Sequence, residues 1–141
     1  MAVCKQSESW LEYLQTTYES LLNAEAIPFG KLIPSMVPDA GGVYLITAHI
    51  NGKEEPYYIG RSKRLKRRIY SNHLMGPVTN ARLKKYLISS GECGDIQEAK
   101  QFIKSFCSVR WIQEEDIRKR GAIEGYVTGL LYPKHGIYEE H

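Results

Sequence analysis

Hydrophobic periodicity divides the chain into a clear series of elements. Leu11, Leu14, Tyr18, Leu21 and Leu22 recur at helical spacing, and Ser9-Trp10-Leu11-Glu12 fits a capping box. One amphipathic helix is therefore expected over residues 10–25. Pro28, Pro34 and Pro38 break the pattern, and Asp39-Ala40-Gly41-Gly42 reads as a turn. Two runs rich in β-branched and aromatic residues follow, 42–46 and the run ending at Tyr58-Ile59-Gly60. They flank Asn51-Gly52, a strong hairpin signal. Strict alternation puts Tyr57 on the strand face opposite Tyr58. Ser62 is then placed to cap a helix carrying Leu65 and Ile69, and the stretch from Asn72 to Pro77 reads as a loop. Residues 80–90 form a second helical pattern, with Leu83, Tyr86 and Leu87 inward and Arg82, Lys84 and Lys85 outward. Gly91-Glu92-Cys93-Gly94 stops it, and Asp95 is placed to cap a third helix carrying Ile96, Ala99 and Ile103. Residues 106–112 alternate, with Cys107, Val109 and Trp111 on one face and Ser108 and Arg110 on the other. A last helix is expected from about 115 to 131, ended by Pro133.

This order implies an α+β fold: a small antiparallel sheet of about three strands flanked by helices, with an N-terminal helix. Residues 1–40 read as a helical extension packed on a main domain at 41–141. At 141 residues and 43% hydrophobic content, one domain with a real core is expected.

Charge changes the picture through its placement. The net value is only +3, yet Arg61, Lys63, Arg64, Lys66, Arg67 and Arg68 crowd the start of one helix. Positive charge there opposes the helix dipole, so it does not serve helix stability. A polyanion is the natural partner, with a phosphate near the helix start. Cys4, Cys93 and Cys107 are widely spaced with no Cys-x-x-Cys pair, which indicates neither a zinc site nor a disulfide frame. A reduced, cytoplasmic setting is expected. No signal-peptide core and no run long enough to span a bilayer are present, so no membrane partner is expected.

Glu124 falls between Ile117 and Leu131 on the helical wheel, inside the stripe that should face the sheet. A carboxylate fully buried there would have to be paired or hold a metal, and the alternative is a snorkelling or salt-bridged Glu at the stripe's edge. Gly121, Gly125 and Gly129 line a strip beside it. Each glycine costs roughly 0.5–1 kcal/mol against Ala in a helix, and close approach of another backbone is one explanation.

With these residues assembled, the chain resembles the GIY-YIG nuclease superfamily. Gly42-Val43-Tyr44 matches the first motif with Val for the usual Ile, and Tyr58-Ile59-Gly60 matches the second unchanged. Arg68 lies eight residues past Gly60, at the place of the family's catalytic Arg. Glu124 lies in a helix ending in Leu-Tyr-Pro, with Pro133 nine residues on, as around the family's metal-binding Glu. The likeness covers about residues 41–136. The chain departs from the family in carrying Gly136, beside His135, where an Asn is usual, and in placing His73 one residue beyond the family's His position, which is Asn72.

The resemblance implies a DNA endonuclease in which Tyr44 and Tyr58 act as base and water-positioning groups, Arg68 as the catalytic Arg and Glu124 as the metal ligand. The residues agree with such chemistry. One inward carboxylate suits one divalent ion, Mg²⁺ or Mn²⁺, that keeps several waters. The Arg68 fork suits a scissile phosphate, with Arg61 assisting from the same side. Lys63, Arg64 and Arg67 are placed to track the nucleic-acid backbone. A free phenol has a pKa near 10, so a Tyr base needs cations beside it or a proton relay such as His73. Cutting both strands at once calls for a dimer, with the Trp10 helix as a candidate contact. The alternative reading is a nucleic-acid-binding module of the same fold with weak or no cleavage.

Overall fold

A computed structural model describes Val3 and residues 8–75 and 82–136. The fold is α+β. Four antiparallel strands form one sheet: β1 (Ile27–Pro28), β2 (Gly42–Ile50), β3 (Lys53–Ser62) and β4 (Cys107–Gln113). Their order across the sheet is β1-β4-β2-β3. The strand missed by periodicity is β1, whose two residues are too few to show alternation. It pairs Ile27 with Val109 and Pro28 with Ser108 at the edge of β4.

Both faces of the sheet are covered. On the first face, Tyr44, Ile46, Tyr58 and Val109 pack with Leu65, Ile69, Leu83, Leu87 and Ile103. These come from the basic segment, from α2 (Arg82–Ser89) and from α3 (Ile96–Phe106). On the second, Val43, Leu45 and Ile59 pack with Leu21 of α1 (Glu8–Asn23) and with Ile123 and Val127 of α4 (Ile117–Leu131). The central strand β2 is accordingly buried without a break from Gly42 to Ala48, as expected of a strand with helices on both sides. Residues before Gly41 feed both cores: Leu21 enters one, and Phe29, Leu32 and Val37 enter the other.

Local chemistry explains most boundaries. Asn51 and Gly52 take φ of 53° and 76°, which turns β2 into β3 with the twist a hairpin needs. The Asp95 carboxylate accepts from the Glu98 N–H, and Asp116 accepts from the Arg118 and Lys119 N–H groups, capping α3 and α4. Ser62 accepts from the Arg64 N–H at 3.0 Å, at the start of the basic segment.

The structure corrects several expectations. The chain from Arg67 to Met75 is π-helical, so Asn72 to Met75 continue the helix rather than forming a loop. Glu8 is already helical, so Ser9 lies within the first turn of α1 and not at its cap. Lys84 is fully buried, because α2 is packed between α3 and the π-helical segment and has no outward face there. Burial, with Lys100 nearby, lowers its amine to a pKa of about 8. A β-bulge pairs Ile46 with Tyr58 but Thr47 with Pro56, which leaves Tyr57 as the extra residue. The shift turns Tyr57 into the same core as Tyr58, although alternation separates them. Among the described residues, no helix is long and apolar enough to cross a membrane.

Candidate active site

Glu124 and the basic segment stand on helices covering opposite faces of the sheet. At the open edge of the sheet, along β3, Glu124 meets residues of β3 and α2. There a cleft of about 410 Å³ is lined by Tyr58 and Ile59 of β3, Arg82 and Tyr86 of α2, Glu124 of α4, and His135 beyond α4. An edge strand allows side chains from both layers to reach one place.

The inward line of α4 is Arg120, Ile123 and Val127, while Ile117 is 72% exposed. Glu124 therefore flanks the sheet-facing stripe and does not lie within it. This is why the carboxylate opens into the cleft, with 29% of its side chain exposed. Arg61 reaches it at 3.5 Å. The guanidinium lies over Gly121, where a Cβ would come within 2.9 Å of Arg61 Nη1. Gly121 thus makes room for a side chain, not for another backbone. Gly125 and Gly129 face open space and leave part of the cleft wall bare. Burial pushes the Glu124 carboxyl above its ordinary range, although Arg61 and Arg82 both pull it down.

Tyr44 sits behind Tyr58, with ring centroids 6.2 Å apart, and is 1% exposed. Its phenol lies across Gly60, its cross-strand partner, where any Cβ would collide with the ring. The two tripeptides thus make a single packing unit. Burial raises the Tyr44 pKa well above 10, Tyr58 and Glu124 add to this, and Arg68 and Arg82 oppose it. Tyr44 is accordingly a neutral phenol at working pH. Arg68 is half-buried and near enough for its charge to act on Tyr44.

The remaining basic residues divide. Lys63 and Arg67 are exposed. Arg64 holds Asp39 through two bonds of 3.2 Å. His73 lies in the π-helical segment, and its side chain falls outside the described residues. Arg82, Tyr86 and His135 reach the cleft without any sequence reading having placed them there. Arg82 carries no pattern beyond opening a helix.

Among the described residues, no three His, Cys, Asp or Glu side chains converge to cage a metal. The donor set fits another arrangement: one ion held by one carboxylate and otherwise by water, as Mg²⁺ tolerates. Burial is what raises the Glu124 pKa, and a cation added beside it would favour the ionised form. No protein-family model, curated protein or solved structure matches this chain.

Proposed function

We propose that this chain is a metal-dependent endonuclease that hydrolyses phosphodiester bonds of DNA in an intracellular setting. The observation that carries the reading is the meeting of Tyr58, Arg82 and Glu124 in one cleft, with Tyr44 packed on Tyr58 and Arg68 near enough for its charge to act on Tyr44. Few tasks other than handling phosphate bring a half-buried carboxylate, several guanidiniums and paired tyrosines to one sheet edge.

Arg68 and Arg61 hold the scissile phosphate, Arg82 neutralises charge from the α2 side, and Tyr58 orients the attacking water with its hydroxyl. Tyr44, neutral and fixed against Gly60, supports Tyr58 by packing and does not serve as a phenolate. His73 is the proposed proton relay. Glu124 is the ligand for a single Mg²⁺ or Mn²⁺, which supplies charge neutralisation on the phosphate and leaving oxygen. Lys63, Arg64 and Arg67 follow the backbone outside the cleft, Arg64 exchanging Asp39 for phosphate. Concerted cutting of both strands requires a second copy of the chain.

One observation favours the second reading, a binding module with weak or no cleavage. Arg61 already pairs with the carboxylate that would hold the ion. Plasmid nicking with Mg²⁺ or Mn²⁺ against EDTA separates the two: nicking that EDTA abolishes supports the nuclease, and binding without nicking supports the module. In the same assay Arg68→Ala should flatten the salt slope of binding by about one unit. Its nicking rate should fall much further, since charge builds on that phosphate in the transition state.

A further inference from the structure

Behind the wall of the cleft lies a polar cluster that the proposed chemistry leaves unused. Glu92, in the loop after α2, accepts the Tyr57 hydroxyl at 2.8 Å through Oε2. Through Oε1 it takes Lys134 Nζ at 3.2 Å and His135 Nε2 at 2.8 Å. Tyr57 and His135 are 0% and 1% exposed. A carboxylate only accepts, so His135 Nε2 carries the hydrogen, which selects one imidazole tautomer. The ring lies parallel to Tyr86, 4° apart with centroids at 6.1 Å, and edge-on to Tyr57 at 5.3 Å.

The loop itself does not need this carboxylate. Its backbone is closed by Gly91 N–H to Ile88 O at 3.1 Å and Cys93 N–H to Leu87 O at 3.0 Å. What the carboxylate joins to its own loop is two distant segments. Tyr57 is the bulged residue next to Tyr58. Lys134 and His135 follow α4, and their N–H groups bond Pro56 O and Tyr57 O at 3.1 and 3.0 Å. Gly136, with φ of 88°, lies against Tyr58, where a Cβ would approach Cε1 to 3.2 Å. The 134–136 segment is therefore held between Glu92 and Tyr58.

We propose that Glu92 is the positioning residue of the cleft: its one carboxylate locks the β3 bulge and the 134–136 segment into a rigid wall, and that wall sets where Tyr58 presents its hydroxyl to a nucleic-acid phosphate. The role in turnover rests on the nuclease reading; the mechanical link does not. Glu92 touches no substrate. Tyr57, Lys134 and His135 are its long-range partners, Ser90 Oγ donates to it within the loop at 3.4 Å, and Glu55 and Cys107 are further titratable groups close enough to act on Tyr57.

The test pairs ¹⁵N NMR of the full chain with plasmid nicking kinetics, in wild type, Glu92→Gln and Tyr57→Phe. Wild-type His135 should show the Nε2–H tautomer. Glu92→Gln should move the Tyr58 and Gly136 amide resonances and lower kcat roughly ten- to a hundredfold, with KM within about twofold. A loss of folded protein alone would not produce that split once rates are normalised to the folded fraction. Where Glu92→Gln does not fold, Tyr57→Phe removes one donor and should move the same resonances. An Nδ1–H tautomer in wild type, unmoved Tyr58 and Gly136 resonances in the variants, or a folded Glu92→Gln with wild-type kcat would each overturn the proposal. If wild type does not nick DNA, the nuclease reading falls, and the resonances alone decide whether Glu92 holds the wall.

Discussion

Glu92 and Glu124 expose similar fractions of their side chains, 21% and 29%, although Glu124 has more protein packed around it. Their surroundings differ in kind. Glu92 is met by Tyr57, Lys134 and His135. Burial pushes its pKa up, but those hydrogen bonds outweigh it and hold the carboxyl below its ordinary value. Among the described residues Glu124 has one ion pair, at 3.5 Å, and burial wins: its carboxyl lies above its ordinary value. The opposite shifts separate a carboxylate whose hydrogen bonds outweigh its burial from one whose burial outweighs the two cations near it. The first is architecture, and the second is the group that the proposed function assigns to a cation.

The contrast breaks first at Glu124. Glu124→Gln should lower nicking by roughly 10²–10³-fold, the scale of losing a principal charge-stabilising group. DNA binding should hold or tighten, because a negative charge leaves a polyanion cleft; gel-shift titration beside nicking rates checks both halves. Wild-type cleavage by this variant would reduce Glu124 to a structural residue. Glu92→Gln should, besides its smaller effect on kcat, act on the fold, costing about 1–3 kcal/mol because charged donors lose their partner. Urea denaturation at neutral pH measures it.

Acid should sharpen the difference by sign. The folded pKa values of Glu92 and His135 lie below their ordinary 4.5 and 6.5, so their contribution is full above about 6.5 and is lost as pH falls through both folded values. Glu124 is raised above 4.5, so its contribution is full below 4.5 and is lost as pH rises through the folded value. Plotted against pH, the Tm difference between wild type and Glu92→Gln should shrink in acid. Any Tm gain from Glu124→Gln should appear only toward neutral pH. Curves that move together would remove the distinction. The smallest effect is expected from Arg61→Ala, whose half-exposed pair should change stability by under ~1 kcal/mol. A larger loss in urea denaturation would show that Arg61 satisfies Glu124 as fully as Tyr57, Lys134 and His135 satisfy Glu92.

Sequence legibility followed the range of the interactions. The Asn51-Gly52 turn, the Asp95 cap and the alternation of Cys107, Val109 and Trp111 depend on neighbours a few residues away, and each appears in the structure as read. Tyr57 failed because a single bulged residue shifts a period of two, and no local signal marks the bulge beyond Pro56. Lys84 failed because a helix packed on two sides buries positions that one-sided amphipathicity leaves in water. The wheel from Ile117 to Leu131 left Glu124 open between the stripe and its salt-bridged edge, and the solvent-facing Ile117 decides for the edge. Glu92 offered no signal at all. Its hydrogen-bonding partners Tyr57 and His135 stand 35 and 43 residues away.

The segment after α4 also bears on self-association. Strand β3 ends the sheet, and an unpaired edge is a template on which a second copy can add a strand. Here Lys134 and His135 occupy Pro56 O and Tyr57 O, while Lys53, Glu54 and Glu55 keep the outer part of the strand exposed and charged. Release of 134–136 would unwall the cleft and uncover that edge in one event. Variants weakened at Glu92 should therefore precipitate at concentrations that wild type tolerates, and wild type should approach them in acid, where its own carboxylate and imidazole no longer hold each other.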